Sequence, residues 1–318
     1  MRAIVQPRYG PPDVLELREV DKPKVADDGV LVRVRATSVN AGDWRRVRAS
    51  PFMIRISEGL RRPKFTLLGG DVSGVVEEVG NDVAHLHPGD EVFGVRSGAF
   101  AEYVSGRSFV PKPANLTFEQ SAAVPIAGIT ALQAVRDKGR IQPGHKVLVN
   151  GAGGGVGTFA VQLAKAFGAD VTAVTGTDNT EQVRSIGADR VIDYTREDFT
   201  KGGRRYDVII DVGGTPSMGA CRRALTPTGT LVRVGAGKGG GGPMVSLLAA
   251  LVRSRVLRQR VVSFIAKVRT DDLMTLKELI EAGKVTPVID RTYPLSETAK
   301  ALRYLESERA RGKVIITV

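Results

Sequence analysis

The residues best suited to chemistry sit in one run, KVLVNGAGGGVGTFAVQLAKAFGADVTAVTG, from Lys146 to Gly176. An apolar strand pattern enters a glycine-rich turn, Ala152, Gly153, Gly154, Gly155, Val156 and Gly157, and a helix pattern leaves it. Each residue type has a physical reason. The turn must be tight, Gly154 lets the backbone approach a pyrophosphate, and Gly157 lets the helix pack against the strand. The helix start then offers free N–H groups and a positive dipole to an anion. Ala152 stands where the usual fingerprint has its first glycine. Strand, turn, helix and strand together predict a dinucleotide site; a ligand-free structural turn is the bland alternative.

The end of the second strand selects between nicotinamide cofactors. A carboxylate there would hydrogen-bond a ribose 2′-hydroxyl. This chain has Thr175, Gly176 and Thr177 instead, hydroxyl-bearing or small groups that do not repel a 2′-phosphate. NADP, as NADPH, is therefore the expected cofactor, although Asp178 and Glu181 just beyond pull the other way.

Other chemistries find little support. His85 and His87 are two apart in a Pro-Gly turn and read as a solvated loop, so no metal is expected. No Gly-x-Ser-x-Gly elbow marks an acyl-transfer nucleophile. Cys221 stands alone among 318 residues, which excludes an internal disulfide framework and fits a reducing compartment, by default the cytoplasm. MRAIVQPRYG lacks the apolar core of a secretory signal, and no apolar run suggests a membrane span. The formal net charge is +12, with arginines clustered at 45, 46, 48, 55, 61 and 62 and again at 253, 255, 258 and 260. Neither cluster carries interleaved aromatics or a nucleic-acid motif, so both read as solvated basic surface that attracts anionic substrates or cofactors.

The surrounding elements follow from periodicity. Residues 1–119 read as short strands and turns, with partial alternation in VLVRVRATSV (30–39) and a β-branched, valine-rich run from Gly74 to Val79. From 120 to 288, strands alternate with helices, at Lys146–Asn150, Asp170–Thr175, Arg190–Asp193, Asp207–Asp211, Thr230–Gly235 and Arg260–Ile265. Six such strands predict an α/β fold, a Rossmann doubly wound parallel sheet beside a β-rich domain. A helix is expected at Asp271–Ala282 and another from about Ser296. The terminal strand Lys313–Val318 returns to the first domain, so that 289–318 completes it. GKGGGG (237–242) reads as a mobile loop. MVSLLAALVRSRVLRQRVV (244–262) reads as a crossover helix leading into an edge strand, or as a membrane-surface helix. The apolar edge near Arg260–Ile265 invites pairing into a homodimer.

In combination, GAGGGVGTFAVQLAKAFGA, GADRVIDY (187–194) and YDVIIDVGG (206–214) resemble zinc-independent medium-chain dehydrogenases/reductases of the quinone oxidoreductase branch. SVNAGDWRR, LGGDVSGVVEEVG, PGDEVFG, AAVPIAGITAL and GKVIITV fit the same pattern, nearly end to end. The resemblance implies that the β-rich domain is chaperonin-10-like. It implies that Asn40 faces the nicotinamide and substrate and that Thr130 lies near the phosphates. It also implies that Tyr194 touches a 2′-phosphate and that Val234, Gly235 and Ala236 line the nicotinamide, with Phe264 on a facing loop. A C-terminal basic residue, Arg309, Arg311 or Lys313, would reach the cofactor. Arg45 stands where some relatives carry a tyrosine. The zinc-dependent members' cysteine, Gly-His-Glu and second cysteine correspond to Asn40, Gly70-Asp71 and about Ala127, a set without thiolate or imidazole. Reduction of a quinone or an α,β-unsaturated carbonyl is the leading expectation, with Asn40 and Arg45 as candidate catalytic residues. A zinc-free NADP-dependent alcohol or carbonyl dehydrogenase and a non-catalytic NADPH-binding protein stay open beside it.

Overall fold

A computed structural model describes residues 1–214, 216–235, 258–307 and 310–318. Ala236, the 237–242 loop and most of 244–262 fall outside the described residues, as does Arg309. The chain divides into two units, one formed by Met1–Ala127, Val268–Glu281 and Pro287–Val318, the other by Gly128–Lys267 and Ala282–Thr286.

The first unit is mostly β. Its strands are β1 (Arg2–Val5), β2 (Glu16–Glu19), β3 (Val30–Val39), β4 (Asp71–Val79), β5 (Glu91–Val95), β6 (Tyr103–Gly106) and β7 (Phe109–Pro111). Helices α1 (Ala41–Arg48), α2 (Met53–Glu58) and α3 (Phe118–Ala122) lie along this stretch, and α4 (Pro125–Leu132) spans the division between units. The alternation expected of β3 holds in its middle, where Arg33 and Arg35 are exposed between buried valines. From Ala36 to Val39 every residue is buried. That doubly covered end, buried on both faces, delivers the chain to Asn40 and α1.

The second unit holds β8 (Lys146–Asn150), β9 (Asp170–Thr175), β10 (Arg190–Asp193), β11 (Tyr206–Asp211), β12 (Leu225–Val234) and β13 (Arg260–Phe264). Its helices include α5 (Gly155–Ala166), α6 (Thr180–Ser185) and α7 (Met218–Arg223). All neighbouring strands are parallel, in the order β10-β9-β8-β11-β12-β13. Renumbered within the sheet this is 3-2-1-4-5-6, the doubly wound order. The almost unbroken burial of β8, β9 and β11 explains why they read as continuous apolar runs. Most boundaries fall within one residue of expectation, and one differs by more: β12 begins at Leu225 rather than Thr230. The turn-like Thr-Pro-Thr-Gly is carried inside the strand because its register against β11 shifts between Tyr206 and Val208.

The remaining elements are α8 (Thr270–Glu281), β14 (Ile289–Pro294), α9 (Thr298–Glu306) and β15 (Lys313–Thr317), all in the first unit. β15 pairs antiparallel with β3 and parallel with β14, in a 7-stranded sheet ordered β14-β15-β3-β4-β5-β7 with β6 also on β3. Val314 and Ile316 join Ile4, Val39, Val47, Leu68 and Phe100 in one core, so the last residues of the chain close the first unit.

Candidate functional site

In the second unit the end of β8 turns sharply at Gly151, whose φ is +81°. This glycine was not singled out by the sequence pattern, yet a Cβ there would lie 2.8 Å from the Gly213 nitrogen. The signal was present in the NGAGGGVG string but is easily assigned to Ala152, which is fully buried behind the turn. Gly157 meets the packing demand placed on it, since a Cβ would lie 2.1 Å from the Gly151 carbonyl oxygen. Gly153 sits under Thr175 Oγ1 and Asn179 Nδ2, both 2.7 Å from its virtual Cβ. Gly154 is different. Only the Gly151 oxygen lies near its virtual Cβ, at 3.7 Å, so that glycine leaves open space in front of the helix.

Helix α5 begins at Gly155, and the first N–H in its hydrogen-bonded ladder belongs to Thr158, which donates to the Gly154 carbonyl at 2.9 Å. The N–H groups of Gly155, Val156 and Gly157 therefore belong to the first turn, the anion-binding end of a helix. The turn is braced from β11. Asn150 Nδ2 and the Gly214 N–H both donate to Asp211 Oδ1, each at 2.8 Å.

At the end of β9, Thr175 is buried, with its Oγ1 against Gly153. The exposed groups there include Thr177, Asp178 and Tyr194, the last 66% exposed with its hydroxyl 3.3 Å from the virtual Cβ of Gly176. Thr177 donates to Asp193 Oδ2 at 2.6 Å. That bond, with two from Thr195 and the Arg196 charge, holds the Asp193 carboxyl below its ordinary pKa. Asp193 is thus an anion beside the strand end that sequence reading overlooked, because it lies on the next strand. At the other side of the sheet, Val234 faces Phe264 in register, and the Gly235 N–H donates to the Phe264 carbonyl at 3.2 Å. Three of the groups expected around a nicotinamide are therefore neighbours. Thr130 is buried on α4.

The first unit holds a second polar site, centred on the fully buried Asp71. Its Oδ2 accepts from Ser38 Oγ, from Asn40 Nδ2 at 2.8 Å and from Lys313 Nζ at 3.2 Å. Its Oδ1 accepts from the Ile126 N–H at 2.7 Å. Lys313 Nζ also donates to Asn40 Oδ1 at 2.7 Å. Asn40 is thereby fixed at both ends of its carboxamide, and Lys313, expected beside the cofactor, is buried in this ion pair. Asn40 Nδ2 reaches one further acceptor, the Ser38 carbonyl, at 3.5 Å, the outer limit of a hydrogen bond. One amide proton is thus held weakly enough to be offered elsewhere.

Asn40 precedes α1, and its N–H donates to Asp43 Oδ2 at 2.8 Å. Burial, reinforced by the Asp71 charge and opposed by the Asn40 hydrogen bond, pushes the Asp43 carboxyl up to about 6. Arg45 lies on α1 with its guanidinium 5.5 Å from the centre of the Trp44 ring. Position 70 has no side chain, and a Cβ there would meet only the movable end of Ile126, at 2.5 Å, so residue type rather than space leaves no imidazole at this position. A thiolate or imidazole donor set for zinc is therefore not what these residues provide. Cys221 is buried in an apolar cluster, and burial pushes its thiol up to about 12.

Two family models match the chain, an alcohol dehydrogenase GroES-like domain over residues 26–114 and a zinc-binding dehydrogenase domain over residues 186–316. The mouse (Mus musculus) mitochondrial NAD(P)H oxidoreductase RTN4IP1 is 36% identical, covering 91% of this chain and 81% of its own. A chloroplastic NADPH-dependent alkenal/one oxidoreductase of Arabidopsis thaliana is 35% identical, over 99% and 79% respectively. Among solved structures, a quinone oxidoreductase from Coxiella burnetii superposes with a TM-score of 0.87 at 31% identity, covering 100% of this chain and 99% of that one.

Proposed function

Because this chain belongs to the medium-chain dehydrogenases/reductases, among relatives named for quinone and alkenal reduction, we propose that it reduces a quinone or an α,β-unsaturated carbonyl with NADPH and without zinc. The observation that carries the reading is the presence in one chain of an open glycine turn at a helix start and of an Asn40 amide fixed by Asp71 and Lys313.

NADPH, when bound, supplies the hydride. The N–H groups of Gly155, Val156 and Gly157 would hold its pyrophosphate, and Gly154 leaves the space for it. Tyr194 would meet a 2′-phosphate, as would Thr177 once its hydroxyl turned from Asp193. Asp193 opposes that phosphate, and the preference for NADPH over NADH is accordingly a modest one. Val234, Gly235, Phe264 and, outside the described residues, Ala236 would line the nicotinamide. An enone or quinone is already electrophilic and needs only donors for its developing oxyanion. Asn40 Nδ2 is suited to this role, because Lys313 on its oxygen draws electron density away from its N–H groups. Arg45 is the candidate second donor. Alcohol oxidation would demand a Lewis acid or strong base for the alkoxide, and the residues around Asn40 offer neither.

The cytoplasm is our reading of the compartment from the single buried Cys221, and a homodimer through the β13 edge our reading of the assembly. No described helix is long and apolar enough to cross a membrane. The reaction is tested with stereospecifically deuterated NADPH and an enone. Label at the β-carbon is expected; label at the carbonyl carbon with the double bond intact would favour a carbonyl reductase.

A further inference from the structure

Among the described residues ten large hydrophobic side chains are exposed, and five of them, Phe52, Met53, Ile56, Leu60 and Phe65, fall within one short segment. Each is between 55% and 67% exposed. The same part of the chain, residues 45–66, carries seven basic residues against the single acid Glu58, half of the formal net charge of +12. Glu58 is itself neutralised by Arg46 at 2.9 Å. Arg61, Arg62 and Lys64 are exposed. Large apolar side chains gathered on a surface mark an interaction site rather than ordinary scatter.

The segment is held in shape from below. Tyr9 donates its hydroxyl proton to the Gly59 carbonyl at 2.8 Å, and the Arg55 guanidinium lies 4.9 Å from the Tyr9 ring and 5.8 Å from the Phe52 ring. The Lys64 N–H donates to the Glu58 carbonyl at 2.6 Å, closing the loop after α2. The apolar side chains are therefore presented outward by a folded element.

We propose that residues 50–66 dock this protein peripherally on an anionic lipid bilayer, with Phe52, Met53, Ile56, Leu60 and Phe65 entering the headgroup region and Arg61, Arg62 and Lys64 meeting lipid phosphates. The two attractions act together, burial of apolar side chains at the interface and attraction of basic residues to anionic headgroups. A second copy of the chain is a poor occupant, because two-fold pairing through this patch would set like charges against each other. Nucleic acid would satisfy the arginines but leaves Met53, Ile56 and Leu60 without a partner, since aliphatic side chains offer bases no ring to stack on. The inference does not depend on the reaction proposed above.

The test is sedimentation of the full chain with phosphatidylcholine vesicles and with vesicles that also contain phosphatidylglycerol. Binding is expected only to the anionic vesicles and is expected to weaken with salt. F52S/I56S and R61E/R62E should each lower the partition coefficient about ten-fold or more, with thermal unfolding unchanged as the control for folding. Absence of binding to anionic vesicles overturns the proposal, as does binding that neither double variant alters. It also fails if the patch variants abolish a concentration-dependent dimer, or salt-sensitive RNA binding, while vesicle binding is absent. A raised KM for a water-soluble quinone with vesicle binding intact would place the segment over the substrate instead, and likewise overturns it.

Discussion

The glycine turn of the second unit and the Asp71 cluster of the first are built on opposite plans. The turn is seven consecutive residues, Gly151 to Gly157, shaped by backbone conformation and close approach. The cluster gathers Ser38, Asn40 and Asp43 from one stretch with Asp71, Ile126 and Lys313 from three others, which only the tertiary fold brings together. A local site can change its affinity without changing the fold, because its geometry is written in adjacent dihedrals. A dispersed buried site cannot, because each member neutralises or satisfies another.

The sharpest way to break that comparison is Lys313→Met. It leaves Asp71 buried without its cation, and stability should fall by about 3–5 kcal/mol, read by urea unfolding. A loss below about 1 kcal/mol would mean that the cluster is not the unit's keystone. Within the turn, Gly157→Ala should cost about 1–3 kcal/mol by overpacking against Gly151, whereas Gly154→Ala should leave stability within about 0.5 kcal/mol. Yet Gly154→Ala should weaken NADPH binding about ten-fold in a fluorescence titration. Equal effects of the two alanines on affinity and stability would erase the distinction between a packing glycine and a ligand glycine.

Asp43 gives the cluster a pH signature that the turn lacks. Its folded pKa, about 6, lies above the ordinary carboxyl value. A raised carboxyl binds its proton more tightly when folded, so this group's contribution to stability declines from about pH 4 to about pH 6 and then levels off. Asp43→Asn removes that term. Relative to the variant, the wild type should lose about 2–3 kcal/mol across the window, measured by denaturant midpoints at each pH. Parallel curves for the two proteins would refute the assignment. The smallest effect expected is at Cys221, whose buried, raised thiol should react with a maleimide only after unfolding.

Legibility followed the same division. The strand runs of the second unit were readable because parallel strands are buried on both faces, and β8, β9 and β10 begin and end where their apolar runs do. β12 was not readable at its start, because Pro227 and Gly229 carry the signature of a turn while pairing with β11 continues past them. Lys313 was linked to the cofactor through the family resemblance, which implied a basic residue near the C-terminus without fixing which one. Its partnership with residues 40 and 71 is set by the β15–β3 register, Val314 opposite Val39, which no local pattern encodes. Asp193 and Gly151 were missed for smaller reasons, one strand and one residue away from the positions that drew attention.

The closure of the first unit by β15 has a consequence for how the protein is made. Residues 1–127 emerge well before Lys313 and the strand that covers one side of β3. At ordinary elongation rates the interval between residue 127 and residue 313 is roughly 10–40 s. Throughout it, a nascent chain on the ribosome holds an unpaired sheet edge and a carboxylate still awaiting its cation.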